Sequence, residues 1–259
     1  MSALPRTSVI FGGSSGIGKA IAMLCARDGD SVVVVSRNRS KLSQAARDIS
    51  RAGAESVTTF RTDLNDRNKV RATLREIGRA CPPPMRLVLN GGGPPFGLFS
   101  EISIDQWQAS FQSVLLSQIQ ILHWAVPNLR PGSSVVAILS DAVRSAGPDK
   151  VLPCSLRLAL LGVLKCLALQ YSAQGIRFNA VSPGPTETER AMALIGKAAG
   201  RKKRSFNVEM REFRKGLPMK RMAKPEEIAA VAHFLLLDSA GYVSGMNYVC
   251  DGCLTTAPL

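Results

Sequence analysis

Gly12, Gly16 and Gly18 stand in the run Phe11-Gly12-Gly13-Ser14-Ser15-Gly16-Ile17-Gly18. Before them Val9-Ile10-Phe11 is short, apolar and β-prone, and after them Lys19 to Ala26 reads as a helix. Strand, glycine turn and helix start are what a dinucleotide diphosphate needs. Glycine lets the backbone approach the phosphates, and the helix start offers free N–H groups and a positive dipole end. Ser14, Ser15 and Ile17 belong to the same candidate cofactor loop. The spacing is Gly-x3-Gly-x-Gly, and a tight turn needs glycine with no ligand at all. The flanking strand and helix favour nucleotide binding over a bare turn.

Two other groups of residues could carry chemistry. Lys197, Arg201, Lys202, Lys203, Arg204, Arg211, Arg214 and Lys215 fall close together, against Glu209 and Glu212. They read as a solvated mobile segment, as a nucleic-acid surface, or as a collar that attracts an acidic substrate or carrier. With Phe206 and Phe213 as the segment's aromatics and no recognisable binding module, nucleic acid is not expected as a partner. Of six cysteines, Cys25, Cys81, Cys154 and Cys166 read as reduced packing residues. Cys250-x-x-Cys253 is a lone pair, and two thiols do not complete a tetrahedral metal site, so no metal is expected.

The elements that must position these residues alternate along the chain. Strands are expected at Val32–Val35, Ser56–Phe60, Leu87–Leu89, Ser134–Leu139, Ile176–Val181 and Asn247–Val249. Helices are expected at Ser40–Arg51, Asn65–Ala80, Asp105–Leu129, Cys154–Gln174 and Pro225–Leu237, with Pro82-Pro83-Pro84 closing the second of these. Continuous apolar strands point to a parallel sheet buried on both faces, and the alternation to a doubly wound, Rossmann-type α/β fold. The 259 residues, 46% of them hydrophobic, suit one domain over 1–259, with a structurally weak lid over about 187–217. Met1 to Thr7 lacks the apolar core of a signal peptide, and no apolar stretch reads as long enough to span a bilayer. A cytoplasmic protein without a membrane partner is expected. The formal net charge of +14 is large for such a protein.

The chain resembles the short-chain dehydrogenase/reductase family. The resemblance rests on the Gly12/Gly16/Gly18 loop, Asp63-Leu64, Asn90-Gly91-Gly92 and the run Gly175 to Gly184. It also rests on Lys224-Pro225-Glu226-Glu227-Ile228 and Asp251-Gly252. It implies a nicotinamide cofactor: Asp63 and Leu64 at the adenine, Asn90, Gly91 and Gly92 along the cofactor, and Pro183, Gly184, Thr186 and Thr188 at the nicotinamide. It also implies a small-molecule substrate and a homo-oligomer, dimer or tetramer. Charge selects the cofactor. NAD enzymes place an acid after the second strand, whereas this strand ends in Ser36-Arg37-Asn38-Arg39. Arg37 and Arg39 suit a 2′-phosphate, so NADP(H) is expected.

The family usually sets Asn, Ser, Tyr and Lys in its active site. Counting back from Gly175 by the family's helix spacing puts Pro153 at the tyrosine position and Arg157 at the lysine position. Counting from Trp107 puts Val114 at the asparagine position. Ser140, thirteen residues before Pro153, falls on the serine. Proline has no proton to give and arginine stays protonated, although Arg157 can still bind ribose hydroxyls or an oxyanion. Lys150 lies seven residues before Arg157, the spacing at which related enoyl reductases carry a tyrosine. Asp141 and Asp149 lie nearby, and all three charges could also be solvated loop groups. His123 and His233 read as packing or surface residues and Tyr171 as peripheral.

The expectation is an atypical NADP-dependent oxidoreductase acting on a conjugated enone or enoyl group or an imine. Ser140, Arg157 and Lys150 are its catalytic candidates, and the substrate is anionic or carrier-bound. The competing expectation is a catalytically inactive cofactor-binding protein that serves as partner or sensor.

Overall fold

Alternation along each strand decides the architecture. The structure is a computed structural model and describes residues 6–83 and 85–256. Pro84 and most of the N-terminal segment read above therefore lie outside the described residues. In β1 (Thr7–Phe11) Val9 and Phe11 face one helical layer and Ile10 the other. In β2 (Ser31–Ser36) Val33 and Val35 join the first layer, and Val32 and Val34 the second. A strand buried on both sides reads as a near-continuous apolar run, and Val9–Phe11 and Val32–Val35 are such runs.

With β3 (Ser56–Arg61), β4 (Arg86–Leu89), β5 (Ser134–Ile138), β6 (Arg177–Pro183) and β7 (Asn247–Cys250) they form one sheet in the order β3-β2-β1-β4-β5-β6-β7. Every pairing is parallel. One face is covered by α1 (Gly16–Arg27), α2 (Arg39–Arg51) and α9 (Pro225–Leu236), through Ile21, Leu42, Ile49, Ile228 and Leu235. The other is covered by α3 (Arg67–Ala80), α4 (Ile104–Ser110), α5 (Ser117–Ala125) and α6 (Val151–Tyr171), largely through Leu74, Ile121, Leu152, Leu160 and Leu164. The chain runs outward from β1 to β3, then returns to lay β4 beside β1. This reversal opens a crevice at the carboxyl ends of β1 and β4, where such sheets bind ligands.

Three expectations are corrected. The long helix over Asp105–Leu129 is four pieces: α4, a π-helical turn Phe111–Leu116, α5 and a 3-10 turn Val126–Asn128. Ser113 and Ser117 donate back to the carbonyls of Ala109 and Ser113, which bends helices, and Pro127 cannot donate in the last turn. The segment over 187–217 is not weak. It folds into α7 (Glu189–Arg201) and α8 (Phe206–Gly216), capped by Thr188 and Ser205, around Ile195, Met210, Leu217 and Met222. Finally, one helix is long and apolar enough to cross a membrane by length and composition, Val151–Gln174 with mean hydropathy 1.8. It is α6 with its closing turn, and Leu152, Leu156, Leu160 and Leu164 bury one side of it on the sheet. An apolar core helix passes the same test of length and composition.

Candidate active site

The phosphate loop joins β1 to α1. Ser15 occupies the N-cap of α1, yet its side chain makes no capping bond, so the helix start is left open to an anion. Gly12 and Gly16 have φ of +65° and +53°. A Cβ on Gly12 would strike the Asn90 carbonyl, and one on Gly18 would strike the Gly12 carbonyl. These two glycines are therefore required by the packing of β1 against the end of β4. Asn90 locks that contact by donating from Nδ2 to Gly12 O at 3.2 Å. Ser14 Oγ donates to Ser36 Oγ at 2.7 Å and ties the loop to the end of β2. A Cβ at Gly16 would lie 3.0 Å from the Thr188 methyl, so the start of α7 roofs the loop.

The other candidate cofactor residues line the same edge. Arg37 is exposed after β2, and Arg39 opens α2, which Asn38 caps through Lys41 N. Asp63 accepts from the backbone and side chain of Asn65 at 3.0 and 2.9 Å, and Leu64 packs on the core. Gly91 lies over Gln118, and a Cβ on Gly92 would meet nothing within 4 Å, so Gly92 faces open space. Pro183 ends β6, and Gly184 packs against the Asp251 backbone. Thr186 is buried and donates to Gly184 O, and Thr188 spends its hydroxyl on the α7 cap. An uncapped helix start, a glycine loop and a second strand followed by arginine rather than acid fit a dinucleotide with a 2′-phosphate.

Ser140, Asp141 and Lys150 converge just beyond β5. Ser140 Oγ donates to Asp141 Oδ1 at 2.7 Å, and Lys150 Nζ forms an ion pair with Asp141 Oδ2, also at 2.7 Å. Lys150 is held by its backbone. It precedes α6, and its backbone forms an isolated β-bridge with Gly97 on the loop after β4, whose N–H donates to Asp149 O. Arg157, two turns along α6, bends to the carboxyl end of β5 and donates from Nη1 to Ile138 O and Leu139 O at 3.0 and 2.6 Å. Its buried Nε has no partner. Burial pushes its guanidinium down to about 10, the charge of Arg190 adds to this, and Asp141 opposes it. It is cationic at neutral pH. Pro153 is buried in the first turn of α6, and Val114 is buried in the π-helical turn.

The family resemblance implied Ser140, Lys150 and Arg157 by register and spacing, and the structure adds the Asp141 carboxylate that links Ser140 to Lys150. Arg190, on α7, escapes any motif: in sequence it follows Glu187 and Glu189 and stands apart from the basic run that begins at Lys197, and only the fold sends it to the cleft. His233 lies on the opposite side of the sheet from this edge, 2.8 Å from Asp28, and His123 is exposed. Tyr171 packs on Phe178 with ring centroids 6.1 Å apart. Cys250 and Cys253 line a cavity of about 560 Å³ with Leu217, Met219 and Asp251, and both are free thiols. Among the described residues no three of His, Cys, Asp and Glu cluster as metal ligands would.

Residues 12–255 match the family model described as enoyl-(acyl carrier protein) reductase. The chain is 30% identical over 250 residues to the uncharacterized oxidoreductase YxbG of Bacillus subtilis (strain 168), spanning 95% of this chain and 90% of that one. It is 28% identical to a probable 2,4-dienoyl-CoA reductase of the same organism, with 95% of each chain covered. L-sorbose reductase of Gluconobacter frateurii, solved with NADPH and L-sorbose, superposes with a TM-score of 0.91 at 25% identity, over 100% of this chain and 99% of that one. With the sheet order, the glycine loop and the edge of β5 in place, these matches across nearly the whole length mean that the chain belongs to the short-chain dehydrogenase/reductase family.

Proposed function

We propose that this oxidoreductase transfers hydride to an electrophile other than a simple ketone: a conjugated enone or enoyl group, or an imine. The cofactor is NADP(H): β2 is followed by Arg37 and Arg39 with no acid, and a relative of the same fold is complexed with NADPH. Bound NADPH supplies the hydride. The chain's own groups must hold the electrophile and deliver one proton.

The observation that carries the reading is the Ser140–Asp141–Lys150 chain beside Arg157. Ser140 and Arg157 orient the substrate and stabilise negative charge that grows on its oxygen. In this reading Arg157 also binds the cofactor's ribose hydroxyls, as the family resemblance implies. Lys150 Nζ is the proton source, and Asp141 positions it. A C=C bond conjugated to a carbonyl takes the hydride at carbon and the proton afterwards. An iminium already carries its positive charge and needs no acid. Phe96, Leu98 and Phe99 stand exposed on the loop that bridges Lys150, and they supply apolar surface for an acyl or aromatic substrate. The basic α7–α8 lid favours an anionic or carrier-bound one. The reading needs no nucleic-acid or membrane partner and treats the chain as one domain that forms a homo-oligomer.

The test is NADPH oxidation over a panel of cyclic ketones, β-keto esters, enones, enoyl thioesters and imines. Turnover is expected on the conjugated or imine members, with simple ketones slower by about 10²–10⁴, the usual worth of a positioned acid. Robust ketone reduction that survives both Lys150→Ala and Ser140→Ala overturns this site. A second reading has its own support: Arg157 already spends Nη1 on two backbone carbonyls, as a structural residue does. If no member of the panel oxidises NADPH while NADPH still binds, the protein is a cofactor-binding partner or sensor.

A further inference from the structure

Arg190 is the second residue of α7, where the positive end of the helix dipole disfavours a cation. Its guanidinium nevertheless crosses the cofactor crevice. Nη2 donates to Pro94 O at 2.7 Å on the loop beyond β4, and a Cβ on Gly93 would lie only 2.6 Å from it. The same turn of α7 carries Thr188, which roofs Gly16 of the phosphate loop. Arg190 thus spans from the roof of that loop to the opposite rim.

Its surroundings are cationic. No carboxylate lies within ion-pair distance of it among the described residues, while the charges of Arg37 and Arg157 bear on this stretch of cleft from either side. The neighbouring acids are committed elsewhere: Glu189 to Lys41, Glu187 to Arg214, and Asp141 to Lys150. A guanidinium has five N–H donors, and this one places a single recorded bond, to a neutral carbonyl. Three arginines that no carboxylate among the described residues pairs with directly, two of them facing the cleft whose floor is the uncapped start of α1, call for an anion that enters from outside the chain.

We propose that Arg190 binds the diphosphate bridge of the dinucleotide, clasping it against the Gly12–Gly18 loop. This rests on the cofactor reading above. Arg190 and Arg37 then divide the cofactor's charge between them. Arg190 serves the diphosphate, which NADPH, NADH and ADP-ribose share, and Arg37 serves the 2′-phosphate, which NADPH and 2′-AMP share.

Calorimetric titration of the purified full chain with those four nucleotides separates the two roles. Arg190→Ala is expected to weaken NADPH, NADH and ADP-ribose by a common factor of about ten to a hundred, the range of a charge-assisted hydrogen bond, and to leave 2′-AMP unchanged. Arg190→Lys should recover part of the loss, because it keeps the charge without the fork. Arg190→Ala that binds NADPH as the parent does overturns the proposal. So does a loss on 2′-AMP equal to that on NADPH, which puts Arg190 at the 2′-phosphate. A parent protein that binds none of the four removes the cofactor reading itself, and this clasp with it. Because the side chain is exposed and outside the core, unchanged thermal midpoints for both variants are the expected check on folding.

Discussion

In the proposed reading cofactor choice turns on Arg37, which has no acid beside it, and chemistry turns on Lys150, which Asp141 holds. An acid at the end of β2 would accept ribose hydroxyls and repel a 2′-phosphate. Here Arg37 stands exposed in that place, its carbonyl fixed by Arg61 Nε at 3.2 Å. Arg37→Ala is expected to bring the affinities for NADPH and NADH together, chiefly by weakening NADPH. Paired titrations of the two cofactors read this out, and an unchanged preference removes Arg37 from the site. For Lys150 the informative variant is Asp141→Asn, which keeps the hydrogen bond from Ser140 and removes the charge that holds the ammonium. Turnover with an enoyl substrate should fall about tenfold or more, and Lys150→Ala made on top should add little, because residues acting as one unit are not additive. A double-mutant cycle on kcat/KM checks it. The sequence showed Ser140 and Arg157 by register alone. It left Asp141 as one of several loop charges, because only the turn after β5 and the bridge from Gly97 to Lys150 bring the carboxylate between Ser140 and Lys150.

The helices differ in how openly the sequence announced them. The start of α9 was legible: Pro225 follows Lys224, and Glu227 closes the first turn by accepting from Lys224 N at 2.7 Å. The fork from Arg221, at 2.6 and 2.7 Å, was not legible, because it depends on where the lid returns to the sheet. Arg221 first, then the backbone N–H, hold the Glu227 carboxyl down at about 2, against 4.5 for the free group. A carboxyl depressed in the folded state stabilises above its unfolded value and loses that stabilisation as pH falls through the folded one. Glu227→Gln should therefore lower the thermal midpoint at neutral pH, and the gap from the parent should close between about pH 4.5 and 2. Midpoints that stay apart by the same amount across that window contradict the role of the carboxylate. The lid pair α7–α8 was misjudged because its charges hid its helical period: Ile195, Met210 and Leu217 are few among the basic residues, yet they close a small core of their own. Glu209, buried within it, takes Lys202 at 2.5 Å and Arg204 at 3.9 Å. Lys197, Arg201, Lys203 and Arg211 remain exposed without an acid partner among the described residues. Neutralising Arg201 and Lys203, which leaves Glu209 paired, should weaken an anionic acyl substrate and flatten the salt dependence of its KM. An unchanged salt slope means that the collar does not act on the substrate.

Across the whole molecule the two ends of the sheet are built differently. The carboxyl edge carries the cleft with its unpaired cations. The amino edge is tied by a knot around buried Arg86 of β4, which bonds exposed Asp28 at 2.6 Å and buried Asp30 at 2.9 Å, and His233 of α9 reaches Asp28. Removing Asp30 leaves a buried cation under-compensated, so Asp30→Ala should cost about 3–5 kcal/mol by denaturant unfolding. With 33 basic and 19 acidic side chains, copies of this chain repel one another over most of their surface. Association has to use a face poor in charge, and the outer side of α6 is one. Leu158, Ala159, Gly162, Cys166 and Leu169 lie exposed along it at helical spacing. Lys165, the charged residue on that side, is turned to Gly245 O. We expect this apolar strip on a highly charged protein to be a contact site, because its small residues would allow two helices to approach closely. The sheet accounts for one side of that long apolar helix, and a second copy on the other side would account for the rest. Light scattering coupled to gel filtration should give a dimer or tetramer for the parent protein. Leu169→Glu with Ala159→Glu should shift it to the monomer mass while the far-ultraviolet dichroism is kept. A parent protein that is monomeric at micromolar concentration, or a double variant that still assembles, removes α6 as the interface.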